Sequence, residues 1–161
     1  MNLKIELAYD KKLEIKKLFL EYTQLLIKND KNFAEYLSIQ NYDEELNHLE
    51  KKYGLPHGRL YIASINNEVV GCIALKNFDD FTCEMKRLYV KREYRGQKIA
   101  SQLVDKIIDD AKIIGYKAIL LDTLPFLQSA INLYKQKGFY EIPAYNNSPM
   151  SNSIFMKLKL E

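Results

Sequence analysis

The chain has 161 residues, 47% of them hydrophobic and 28% charged, with a formal net charge of +3. At roughly 100 to 200 residues per domain this is one compact unit, 1–161, and such a composition excludes disorder of the whole chain. So small a positive excess gives no reason to expect nucleic acid or an anionic membrane as partner.

Leu3 to Leu7 alternates apolar and polar residues and predicts a strand, after which Asp10 is placed to cap a helix running toward Lys28. That helix carries its apolar residues at spacings of three, four and seven, among them Leu18, Leu25 and Leu26. Shorter helices are expected over Phe33 to Ile39 and Asp43 to Tyr53. Between Arg59 and Lys76, two runs rich in Val, Ile, Leu and Tyr flank Asn66-Asn67-Glu68, which predicts a β-hairpin. Thr82 to Val90 is a further strand, closed by the polar stretch Lys91 to Lys98. The next helix has the clearest stripe, with Leu103, Val104, Ile107 and Ala111 on one side and Gly115 as its stop. Tyr116 to Thr123 then reads as a strand covered on both faces, so strand, helix and strand imply a parallel pair. Pro125 is expected to open a last helix ending at Gly138, and Phe139 to Tyr145 and Ile154 to Leu160 to finish the chain as strands.

The longest apolar run, Val69 to Leu75, is far shorter than the ~20 residues a bilayer-spanning helix needs. Met1 to Glu6 lacks the apolar core of a secretory signal, so a cytoplasmic location is expected. Cys72 and Cys83 are isolated and read as small core residues, while His48 and His57 stand alone. No H-E-x-x-H or G-x-S-x-G exists to recruit them, and no metal is expected.

Chemistry concentrates between Glu84 and Ala100. Six basic residues fall from Lys86 to Lys98, directly before the N-terminus of the most strongly patterned helix. Unpaired N–H groups and the positive end of the helix dipole favour an anion there, and Gly96 lets the backbone come close to it. A phosphate cradle follows; the alternative is a run of charge that merely solvates a loop. Neither G-x-x-x-x-G-K nor G-x-G-x-x-G is present, which argues against nucleotide hydrolysis and hydride transfer.

Arg95-Gly96-Gln97-Lys98-Ile99-Ala100 resembles the R/Q-x-x-G-x-G/A loop of the GCN5-related N-acetyltransferase (GNAT) family, with Lys98 where the family usually has its central glycine. Leu88-Tyr89-Val90 is similar to the family's bulged strand, and Ala130 to Phe139 to its A-x-x-L-Y-x-x-x-G-F block. Leu127 stands where many members have an asparagine facing the coenzyme. The resemblance implies an α/β fold with a mixed, mostly antiparallel sheet, splayed parallel fourth and fifth strands, and helices on both faces. It implies an enzyme that moves an acetyl group from acetyl-coenzyme A to a primary amine, small molecule or protein, by direct attack in a ternary complex. A non-catalytic acyl-coenzyme A sensor is the alternative, and a homodimer is compatible with either.

The resemblance also assigns roles. Leu88, Tyr89, Val90 and the loop residues Arg95, Gly96, Gln97, Lys98, Ile99 and Ala100 would hold the coenzyme, the Val90 N–H serving the oxyanion. Tyr134 is similar to the general acid, a phenol of pKa ~10 facing a thiolate whose conjugate acid is near 8.5; its other reading is a core tyrosine on an amphipathic helix. Glu84 is the candidate base, by water relay or directly, because an amine of pKa ~10.4 is protonated at neutral pH. Six residues before Val90, it shares a face with that residue unless a bulge intervenes. Tyr89, Asp122 and Tyr145, near strand ends, are further candidates for the acceptor pocket. The acceptor itself is not written in the sequence.

Overall fold

The computed structural model describes residues 2–39 and 41–160. Met1, Gln40 and Glu161, which the expected 1–161 unit includes, lie outside the described residues. Seven strands form one sheet in the order β1-β2-β3-β4-β5-β7-β6, with β1 at Leu3–Leu7, β2 at Arg59–Ile65, β3 at Glu68–Asn77, β4 at Thr82–Val90, β5 at Ala118–Thr123, β6 at Tyr140–Ile142 and β7 at Ile154–Lys159. Every neighbouring pair is antiparallel except β4 and β5. The helices are α1 (Lys12–Asn29), α2 (Phe33–Ile39), α3 (Tyr42–Asn47), α4 (Leu49–Tyr53), α5 (Ile99–Ile114) and α6 (Gln128–Gln136). None among the described residues is long and apolar enough to cross a membrane.

Strand alternation sorts the side chains into two cores, one on each side of the sheet. Tyr61, Ile73, Leu75 and Met85 pack against Leu103, Val104 and Ile107 of α5 and Tyr134 of α6. Leu60, Ile62, Cys72 and Ala74 face the opposite way, toward Ile15 and Phe19 of α1, Phe33 of α2 and Tyr53 of α4. Each fully covered aliphatic side chain contributes about 1.5–3 kcal/mol, so both layers contribute to the stability of the sheet between them.

Four expectations shift. Helix α1 begins at Lys12, with Lys11 at its cap position and no side-chain cap bond, so Asp10 does not start it. The expected helix over Asp43 to Tyr53 breaks at His48, whose φ of −138° leaves the helical range. Pro125 opens a turn instead of a helix: the Leu127 N–H bonds the Leu124 carbonyl at 3.0 Å, which puts proline at the second turn position that its fixed φ favours, and α6 waits until Gln128. The strand expected to reach Tyr145 ends at Ile142, because Pro143 has no N–H to give the ladder.

Two features of β4 position the site. The strand pairs with β5 only at Thr82–Ala118, Cys83–Ile119 and Glu84–Leu120, after which the two diverge. Farther along, its register with β3 shifts by one residue between Lys86, opposite Ala74, and Tyr89, opposite Cys72. The extra residue is a bulge, and Arg87 sits in it at a φ of 61°. Gly71 is required alongside, since a β-carbon there would lie 2.7 Å from the Tyr89 carbonyl oxygen.

Candidate active site

Beyond the bulge, the Lys91 N–H bonds the Val70 carbonyl at 2.8 Å. Alternation then turns the N–H and C=O of Val90 away from β3 and toward the gap left by β5. The Val90 carbonyl accepts the Arg95 Nε at 3.2 Å, which ties the loop after β4 back to that strand end. A short 3-10 turn at Arg92–Tyr94 leads to Gly96, at a φ of 83°, where an added β-carbon would meet open space. Lys98 caps α5 in the left-handed conformation, φ 63°, with no side-chain cap bond. The lysine therefore keeps the backbone path for which glycine is usually chosen. The first N–H groups of α5 have no partner within the helix and lie at the positive end of its dipole.

The basic run does not act as one patch. Lys86 and Arg87 are on β4, only 8% and 5% exposed, while Lys91, Arg92, Arg95 and Lys98 follow the strand. Arg87 gives Glu45 two bonds of 2.8 Å from Nε and a terminal nitrogen, and its guanidinium lies over the Tyr42 ring. Lys52 bonds the same carboxylate at 2.7 Å. Burial by itself would raise the Glu45 pKa, but the charges and bonds of Arg87 and Lys52 bring it down to about 2. This buried pair braces a residue that pays a conformational penalty in the bulge.

A cavity opens where β4 and β5 part. It is lined by Met85 and Tyr134 from the α5 side of the sheet and by Phe33, Tyr36 and Leu124 from the α1 side. The divergence is thus a passage between the two cores. Tyr134 packs on Phe139 with ring centres 5.8 Å apart, and burial, then Tyr22 and Asp122, raise its pKa. Its phenol stays protonated throughout the working range of an enzyme at neutral pH. Leu88 and Leu127 line the same cavity. Tyr89 turns toward α1 and lies 5.7 Å from Tyr22.

Glu84 is 5% exposed and accepts the Tyr145 hydroxyl at 2.5 Å, with the Lys76 Nζ at 3.9 Å. The bulge reverses alternation between it and Val90, so the two side chains leave opposite faces. Asp122, by contrast, lines the cavity with Tyr134. Its Oδ2 accepts the Tyr36 hydroxyl and the Asn146 side-chain nitrogen, the latter at 3.0 Å. Sequence reading reached Asp122 and Tyr145 through their strand ends, but Tyr36, Asn146 and Glu45 carried no local signal. Lys86 stands out in the sequence only as part of the basic run.

The acetyltransferase (GNAT) family model matches residues 15–139. The chain belongs to that family. An uncharacterised N-acetyltransferase of Schizosaccharomyces pombe is 38% identical over 149 residues, covering 91% of this chain and 87% of the relative. A GNAT acetyltransferase structure from Staphylococcus aureus Mu50 superposes with a TM-score of 0.77 at 24% identity, over 99% of both chains, which shows the shared fold. A GNAT acetyltransferase from Elizabethkingia anophelis, crystallised with acetyl-coenzyme A, matches at 28% identity and a TM-score of 0.56, over 65% of this chain and 77% of its own. As a GNAT protein the chain is an acetyl-coenzyme A-dependent N-acetyltransferase, and amines are the acceptors of such enzymes.

Proposed function

We propose that this GNAT enzyme transfers the acetyl group directly to a primary amine while donor and acceptor are bound together, with Tyr134 as general acid. The observation that carries the reading is the position of Tyr134 in the passage between β4 and β5, on the side toward which the Val90 amide is turned. Acetyl-coenzyme A supplies an acetyl carbon made electrophilic by its thioester. Val90 and Leu88 offer backbone groups along the unpaired edge of β4, and Gly96 to Ala100 offer the N–H groups and positive helix end that suit a diphosphate.

The residues then divide the work. The Val90 N–H is aimed at the gap, where it stabilises negative charge on the acyl oxygen. The amine nitrogen forms its bond to the acetyl carbon as the carbon–sulfur bond breaks, and one amine proton must leave. Glu84 is the proposed acceptor for that proton, through water or the Tyr145 hydroxyl, because its carboxylate is turned to Tyr145. Tyr134 returns a proton to the departing thiolate. A phenol with a raised pKa gives this proton unwillingly, so its placement beside the sulfur supplies much of the effect.

Thiol release from acetyl-coenzyme A, followed with an amine acceptor, tests the assignment. Tyr134→Phe is expected to lower kcat about 10²–10⁴-fold while calorimetric binding of the coenzyme stays the same. Glu84→Gln is expected to lower kcat on the acid side of the pH profile more than on the alkaline side, where free amine is already present. An unchanged rate in Tyr134→Phe removes the acid, and coenzyme binding without thiol release across a broad amine panel leaves a sensor in place of an enzyme.

A further inference from the structure

We propose that Asp122 selects the acceptor, its carboxylate binding the incoming amine as an alkylammonium ion. This rests on the acetyl-transfer reading and deepens it by naming the acceptor class: basic aliphatic amines, as distinct from weakly basic arylamines or alcohols. Asp122 stands on β5 just past Leu120, the last residue that β5 pairs with β4, and it lines the cavity that contains Tyr134. The acids that the fold buries, among the described residues, each have a cation beside them. Glu45 has Arg87 and Lys52, Asp110 has Arg59 at 3.4 Å and Lys106 at 3.9 Å, and Glu84 has Lys76 at 3.9 Å. Asp122 forms no ion pair among the described residues and is met by neutral donors alone. Lys86, which lines the same cavity and has a partner of its own, acts on Asp122 through its field without pairing with it.

The carboxylate is held ready. Tyr36 from α2 and Asn146 from the segment between β6 and β7 both bond its Oδ2, and Asn146 also bonds the Tyr36 hydroxyl at 3.0 Å. Burial, and then the charge and bond of Asp122, raise the Tyr36 pKa, so its O–H stays in place as a donor. A carboxylate fixed in this way loses little freedom when its other oxygen meets an ammonium group. The space open to water-sized groups in the cavity is about 40 Å³, enough for about three waters. An ammonium head and its first carbon fit there, and the body of the acceptor stays outside. The wall is mixed, with Tyr22, Thr123 and Ser153 beside Leu26 and Leu124, so apolar contact discriminates little between heads of one size and charge discriminates most. A hydrogen bond between ions is about twice as strong as one between neutral groups, which a hydroxyl or an arylamine nitrogen does not supply. Before the nitrogen attacks, the ammonium group gives up one proton to Glu84, and the bonds made and broken are those of the acetyl transfer already described. Tyr145, bonded to Glu84, lies in the field of both acids: burial, then Glu84 and Asp122, raise its pKa. One carboxylate holds the cation and the other takes the proton.

The protein is loaded with coenzyme A, which has no acetyl group to give, and its thermal stabilisation by n-butylamine is compared with that by n-butanol at equal ionic strength. The amine is expected to bind about 10-fold or more tightly than the alcohol. Asp122→Asn is expected to erase that difference while calorimetric affinity for the coenzyme stays the same, and Glu84→Gln to keep it. With acetyl-coenzyme A, Asp122→Asn is expected to raise KM for n-butylamine about 10–100-fold and to change kcat only a few-fold. Asp122→Glu, which keeps the charge, is expected to recover part of the affinity. Equal binding of amine and alcohol by the unaltered protein overturns the assignment without relying on a variant that folds. A preference that survives Asp122→Asn, or that disappears in Glu84→Gln instead, overturns it as well; each of these leaves acetyl transfer standing. No thiol release with n-butylamine or across a broad amine panel, in protein that the coenzyme stabilises, overturns acetyl transfer and the role of Asp122 with it.

Discussion

The two sides of the passage are built from different materials. Toward the loop after β4, the groups proposed to meet the coenzyme are backbone: the gap-facing amide of Val90, the left-handed Gly96 and Lys98, and the opening N–H groups of α5. They lie within a few residues of one another in the chain. Toward α1–α4, the groups are side chains from distant segments: Tyr36, Glu45, Lys86, Arg87, Asp122 and Asn146. A backbone site tolerates side-chain change and suits a donor common to a whole family, whereas a side-chain site changes with each substitution and suits an acceptor that differs from member to member. The comparison predicts that changes on the acceptor side act through charge and burial, and changes on the loop side through conformation.

The largest effect is expected from Glu45→Gln. Removing the carboxylate leaves Arg87 buried with its main counter-charge gone, which costs about 3–5 kcal/mol by the behaviour of broken buried pairs. Urea unfolding measures it directly. A loss below about 1 kcal/mol would mean that the bulge does not depend on this pair, and the contrast between the two sides would weaken. Next is the pH dependence of the unaltered protein. Glu45 has its pKa lowered in the fold from 4.5 to about 2. Its contribution is therefore fully present above pH 4.5 and lost as pH falls toward 2. By linkage it amounts to on the order of 3 kcal/mol. Unfolding free energies at pH 6, 4 and 3 should fall more steeply in the unaltered protein than in Glu45→Gln.

On the loop side, Gly96→Ala meets no neighbour, because the space around its β-carbon position is open. Its cost is the positive φ, about 1–2 kcal/mol for a residue with a β-carbon. If the loop relaxes to avoid that cost, the proposed coenzyme cradle deforms. Calorimetric affinity for acetyl-coenzyme A is then expected to fall about 10-fold while the melting temperature shifts little. Equal losses in both would show that the loop is a stability element and not a binding one.

This division also explains what could be read in advance. Period-2 and period-3.6 patterns marked the strands and helices, and the loop could be recognised because its residues are contiguous. Strand alternation alone put Glu84 on the face of Val90, and the left-handed Arg87 reversed that relation through one inserted residue. The ends of α6 and β6 depended on whether Pro125 and Pro143 start an element or stop one, which is decided by hydrogen bonds no sequence prints. Tyr36 meets Asp122 across 86 residues and Arg87 meets Glu45 across 42. Neither partner has a local pattern, so only the fold brings these side chains together.

The finest test falls on Lys98, where backbone and side-chain contributions can be separated. At φ 63° and ψ 21° the lysine occupies a left-handed well that costs a residue with a β-carbon about 1–2 kcal/mol. Lys98→Gly removes that cost but loosens the unfolded chain, which takes back about 0.4–1 kcal/mol. The net change should be a gain of about 0–1.6 kcal/mol, a shift of a few degrees at most in melting temperature. Binding is expected to respond differently. The cradle keeps its backbone path, but one positive charge beside the phosphates is gone, so affinity for acetyl-coenzyme A should drop a few-fold at low salt and converge with the unaltered protein as ionic strength rises. Convergence at high salt assigns Lys98 a charge as well as a conformation. If the affinities of the two proteins are identical at every ionic strength, its ammonium takes no part in binding, and the loop works through backbone alone.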